Sequence, residues 1–204
     1  MSNLAFQHQG LSAAVLSDAM LLLDTASSRA GTLSPVDTLH YVDCDPPALN
    51  AAVTAVQHAL EPYNNARDSF RAGQQLAKQH WSGIAASHFD IDATVVYSFY
   101  QKAIDATQRT VSEGAKVAAG LDQLATSTGS SALQIAQEDT VQQACTRVIA
   151  HGGGADYQDI EIVVKACDDV LALVQRAVAD IPSIGAGLAA LTQAVPTPNG
   201  WPAS

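Results

Sequence analysis

Two groups of side chains in this chain have types and spacing that bear on chemistry. His88, Asp90 and Asp92 form His-x-Asp-x-Asp, one imidazole and two carboxylates of the kind that ligate a divalent cation. They fall at the start of a helical pattern, where acidic residues cap free N–H groups and meet the positive end of the helix dipole. The expectation is therefore a capping cluster and no metal. Cys145 and Cys167 are centred on residue 156, inside the segment HGGGADY. Two antiparallel helices joined there would bring both thiols to one level, either as a disulfide or as two buried thiols packing like small apolar residues. The remaining Ser, His and Asp residues form no Gly-x-Ser-x-Gly, His-Glu-x-x-His or phosphate-binding glycine loop. Glycines 152 to 154 follow a helical stretch with no strand nearby and read as a turn. The chain is expected to be non-enzymatic and to need no cofactor.

The elements that must position these groups read as helices. Leu49, Val53, Val56, Leu60, Tyr63, Phe70, Ala77 and Trp81 share one alternating four-three spacing, with Arg67 and Gln74 its only polar positions. This predicts a helix from Pro47 to His80, kinked at Pro62. Trp81-Ser82-Gly83 follows, and glycine suits a helix stop because it alone takes a left-handed backbone without steric cost. A second seam runs through Phe89, Ala93, Val96, Tyr100, Ala103, Thr107, Gly114, Val117, Leu121 and Leu124. It predicts a helix over about 90–126, capped by Ser87 with Asp90. STGSS at 127–131 reads as a break or bend before helix resumes over 132–150. After HGGGADY, Ile160, Val164, Cys167, Leu171, Val174, Val178 and Ile181 form a last stripe, which Pro182 should end or kink. Upstream, 11–29 reads as one short helix closed by Gly31, and 31–47 as linker. The expected fold is all-α: an elongated helical bundle built on a long antiparallel helical hairpin, with Trp81 buried at its Trp-x-Gly turn. The expected organisation is a short N-terminal helix and linker (1–46), the hairpin bundle (47–194) and a flexible tail (195–204).

Composition narrows the function classes. Of 204 residues, 48% are hydrophobic but only 5% aromatic, which suits thin helical packing better than a large globular interior. Ten basic residues against twenty acidic ones leave a net charge of -10, repelling phosphate backbones and anionic membrane surfaces. No nucleic-acid partner is expected. No apolar run approaches the length of about eighteen residues that a membrane span needs, so no integral span is expected. The N-terminal MSNLAFQHQG lacks Lys and Arg, and Asp18 interrupts the apolar stretch after it, so no cleaved signal peptide is expected.

WSGIAASHF, set between two alanine-rich helical stretches, resembles the WXG-type (Esx-like) substrates of bacterial type VII secretion systems, in the style of their larger members. The resemblance covers roughly residues 47–126. It implies a helical hairpin with Trp-x-Gly in the bend and an aromatic shortly after it. It also implies export without a cleaved signal peptide, from the cytoplasm of an actinobacteria-like cell, and a secretion signal at Trp81, Gly83 and Phe89. Such substrates carry a second element, Tyr-x-x-x-Asp/Glu, matched here by Tyr157 and Glu161 one helical turn apart. The implied partners are a helical protein, a second copy, or the secretion machinery. The competing reading is a cytoplasmic helical adaptor or structural protein that binds another helical protein.

Overall fold

The computed structural model describes residues 5–194, and among these every regular element is helical. Seven α-helices follow in order: α1 (Gln9–Val15), α2 (Asp18–Ala30), α3 (Pro35–Leu39), α4 (Pro46–His80), α5 (Ile84–Gln137), α6 (Asp139–His151) and α7 (Tyr157–Ala194). Two short 3-10 segments, His40–Val42 and Gly152–Gly154, complete the set. The expected tail at 195–204 lies outside the described residues. The chain divides into two compact units, Met1–Pro46 with Ala118–Gly185, and Pro47–Val117 with Ala186–Ser204.

In the first unit the N-terminal residues share one core with α6, α7 and the end of α5. Leu11, Met20, Leu23 and Leu39 are fully buried beside Val148, Val163 and Val170. Burying each leucine stabilises the fold by about 1.5–3 kcal/mol. The stretch expected as one helix is two, because Ser17 takes an extended backbone and its hydroxyl accepts from Met20 N–H. Gly31 closes α2 as expected, in the left-handed region at φ 72°. The expected linker folds as α3, since Ser34 caps Asp37 N–H and Pro35 supplies a first-turn residue that needs no donor.

STGSS does not break α5. Ser127 and Thr128 turn their hydroxyls back onto Leu124 O, and a Cβ on Gly129 would sit 3.2 Å from Leu11 Cδ2. These small residues make the seat for α1 instead of a hinge. The entry to α1 is clasped by His8, which is buried: its Nδ1 accepts from Leu11 N–H at 3.2 Å and its Nε2 meets Asp122 at 3.0 Å. The real break comes at Glu138, whose extended backbone starts α6. Arg147 on α6 grips Asp159 on α7 with two parallel hydrogen bonds, 2.8 and 2.7 Å, across the glycine turn. Arg147 thereby holds the Asp159 carboxyl below the usual range.

No single described helix is long and apolar enough to cross a membrane; the bent pair α1–α2 passes by length and composition. Its apolar side chains Leu11, Val15, Met20 and Leu23 are committed to the core just described. The helix runs on through Pro62, and Pro182, expected to end or kink its helix, does not end it. A proline removes one backbone bond, which long amphipathic faces on either side outweigh.

Candidate functional site: the Trp-x-Gly junction

The second unit is carried by α4 and the first part of α5, and its contacts run in a consistent order. Gly114 on α5 faces Val53, a Cβ there coming within 2.8 Å of Val53 Cγ2. Further along, Arg67 Nη1 donates to Gln101 Oε1 at 3.3 Å, and Phe70 and Tyr100 set their rings 6.2 Å apart. Arg71 donates to the Tyr97 hydroxyl and lies over that ring. Next come Gln74 and Lys78, both bonded to Asp90 Oδ1 at 2.7 Å. Last is Trp81 on Phe89, centroids 5.6 Å apart and planes tilted by 47°. Numbers rise on one helix as they fall on the other.

The seam between the helices is more polar than its spacing suggested. Arg67 and Gln74, the two polar positions on the α4 stripe, lie in the contact and bond across it, whereas Val56 and Tyr63 on the same stripe are exposed. Leu60, Ala93 and Ile104 supply the buried apolar part.

At the junction Ala77 O accepts from Trp81 N–H as the last bond of α4, and Gly83 O accepts from Ser87 N–H as the first of α5. Three residues, Trp81 to Gly83, separate the two helices. Gly83 takes φ 102°, a backbone that other residues rarely adopt. The expected cap by Ser87 and Asp90 is not what starts α5: the helix begins at Ile84, three residues earlier. Asp90 instead ties α5 to α4, and the bond from Lys78, helped by Gln74, holds its carboxyl below the usual range. His88 and Asp92 are exposed, and no cluster of three His, Cys, Asp or Glu residues able to hold a metal occurs among the described residues.

Trp81 is not buried, as the sequence reading expected, but 47% exposed. The indole meets Phe89 at a tilt, and about half of the residue is left to solvent. Trp81, Phe89, Lys78 and Asp90 line a shallow cleft of about 270 Å³. The structure thus brings Trp81, Gly83 and Phe89 together. Tyr157 and Glu161 are both exposed and belong to the first turns of α7, in the other unit. Cys145 and Cys167 are buried free thiols in the first unit.

One feature of the site escaped the reading of a single seam. Ile84, Ile91, Val95 and Phe99 form a second stripe on α5, exposed by 81, 61, 48 and 59%. Its seven-four-four spacing is itself helical and stands in the sequence beside the first stripe.

No family model matches the chain, and neither a curated protein nor a solved structure matches it.

Proposed function

We propose that α4 and α5 form an antiparallel helical hairpin with Trp81-Ser82-Gly83 as its bend, and that the chain is a non-enzymatic substrate of a type VII (Esx-like) secretion system. It leaves the cytoplasm without a cleaved signal peptide and is read at that bend. The observation that carries this reading is the half-exposed Trp81 tilted against Phe89 where the two helices meet. A tryptophan that served only to plug a bundle would bury both faces; this one keeps a face for a second protein, and aromatic residues dominate such contacts. Gly83 holds the ring there by turning the chain within three residues.

Export of the Trp81→Phe variant tests the reading. Phenylalanine keeps an apolar ring against Phe89 but loses the outer part of the indole. The expected result is unchanged helical content with reduced appearance in the culture filtrate, and no appearance at all when the secretion ATPase is deleted. Normal, ATPase-independent release of a folded Trp81→Phe protein would overturn it.

A second reading is favoured by the exposed stripe of α5. A cytoplasmic adaptor would cover Ile84, Ile91, Val95 and Phe99 with a partner helix, since a row of large apolar side chains at helical spacing fits helix-in-groove or helix-on-helix recognition. Finding the protein only in the cell lysate while Ile91→Asp abolishes its association with a helical partner would favour this class.

A further inference from the structure

The first unit holds two thiols on successive helices, Cys145 on α6 and Cys167 on α7, and both side chains belong to one core. Cys145 lies six residues before the end of α6 and Cys167 ten after the start of α7, so at about 1.5 Å per residue they stand about 9 and 15 Å along their helices from the turn, roughly one helical turn apart in level. The register is fixed at the turn end by the two bonds between Arg147 and Asp159. Both cysteines lie on buried faces, Cys145 with Val141, Ala144 and Val148, Cys167 with Val163, Ala166 and Val170, within one core cluster. Cys145 is near enough to act electrostatically on Cys167. The third cysteine, Cys44, is held elsewhere: its Sγ donates to Leu121 O at 3.8 Å.

We infer that Cys145 and Cys167 are a disulfide-forming pair that links α6 to α7 when the chain folds in the presence of a small-molecule disulfide such as oxidised glutathione. One protein thiolate attacks a glutathione sulfur, forming a mixed disulfide and expelling one glutathione thiolate. The second protein thiolate then attacks the protein sulfur of that bond and expels the other. Two electrons pass from the cysteines to the glutathione disulfide, and the two thiol protons end on the two released glutathiones. The pairing is a property of the first unit and does not depend on export.

Burial decides when this happens. Both thiols are almost entirely shielded from solvent, and desolvation raises Cys145 to about 11 and Cys167 to about 12, which leaves little thiolate to react. The folded, reduced chain therefore resists exchange, and the bond forms while α6 and α7 are still assembling.

The test uses the full-length chain and a full-length Cys44→Ser variant, which leaves two thiols. Each is unfolded in denaturant and refolded in a glutathione redox buffer, while a second sample is exposed to the same buffer in the folded state. After alkylation and tryptic digestion without reductant, cleavage at Lys116, Arg147, Lys165 and Arg176 separates the two cysteines into peptides 117–147 and 166–176. The expected result is a cross-linked pair of these peptides from the refolded sample, formed at least tenfold more slowly from the folded one. The bridge closes a loop of about twenty residues, so the thermal midpoint should rise by roughly 10 °C and fall back on reduction. Alkylated Cys145 and Cys167 after refolding, or a bridge from either to Cys44 in the unmodified chain, would overturn the assignment. Equal rates in the two samples would overturn the role of burial.

Discussion

Replacing Trp81 with alanine is a quantitative test of whether the indole plugs a core or presents a face. A fully extended tryptophan side chain carries on the order of 250 Å² of surface. With 47% of Trp81 exposed, about 130 Å² is withdrawn from water, which at about 25 cal/mol per Å² stabilises the fold by about 3 kcal/mol. The unfolded chain already shields part of that surface, so the loss on truncation comes to about 2 kcal/mol. A fully buried aromatic would cost about 3–5 kcal/mol. Trp81→Phe should cost about 1 kcal/mol or less, because a ring still meets Phe89. Urea unfolding followed by far-ultraviolet circular dichroism measures these losses, with the slope checked for constancy since the chain has two units. A double-mutant cycle of Trp81→Ala with Phe89→Leu should return a coupling of about 0.5–1.5 kcal/mol for the tilted ring pair. A loss above about 4 kcal/mol for Trp81→Ala would mean that the indole is core, and the recognition reading would lose its structural basis. Zero coupling to Phe89 would mean that the ring pair does not hold the residue in place.

Three further outcomes are expected. The carboxyls of Asp159 and Asp90 titrate lower in the folded chain than in the unfolded one, so their stabilisation is complete above the ordinary carboxylate range and is lost as pH falls through the folded values; thermal melting from pH 7 to pH 2 should show this loss, and Asp159→Asn should flatten it. Leu23→Ala, at a position with no solvent exposure, should cost about 2–5 kcal/mol in urea unfolding, far more than Leu76→Ala on the exposed side of α4. Gly73→Ala and Gly114→Ala should have opposite signs: at Gly73 nothing lies within 4 Å of the new Cβ and the helix gains about 0.5–1 kcal/mol, whereas at Gly114 the Cβ meets Val53 Cγ2 at 2.8 Å. Denaturation midpoints of the two variants decide it.

Helical character was legible beyond the expected linker, because apolar residues recur at helical spacing from Leu49 to Ile181 and glycines punctuate the chain at 31, 83 and 152. Which face of a long helix is buried was less so. A strict four-three template holds the phase of a 3.5-residue repeat, while a straight helix drifts by about 20° per heptad against it. Over the 54 residues of α5 that drift moves burial from Ala103 to Ile104 and onward to Ala118, Ala125 and Ala132. On α7 burial falls one position before the template, on Val163 and Val170 in place of Val164 and Leu171, a shift of the opposite sign that this drift does not produce. Breaks were misread where a polar residue has two uses. Ser17 caps a helix and so divides the first stretch, whereas Ser127 and Thr128 bond within the turn above them and let α5 continue. Only the neighbour distinguishes these cases, and that neighbour, α1 seated on Gly129, is more than a hundred residues away in sequence.

The candidate site shows the same division. That Trp81, Gly83 and Phe89 meet follows from spacing, since an eight-residue interval across a three-residue junction leaves the rings on adjoining helix ends. How far Trp81 is exposed does not follow, because it depends on how tightly the chain turns. The φ of 102° at Gly83 supplies that missing quantity, and it also ranks the probes of function. A residue with a Cβ is strained at that angle whatever space surrounds it, so Gly83→Ala changes the turn as well as any surface that reads it. A loss of export in that variant would not separate recognition from geometry. Trp81→Phe leaves the backbone of the turn intact and changes the ring alone, which makes the indole, not the glycine, the part of the motif whose role an experiment can isolate.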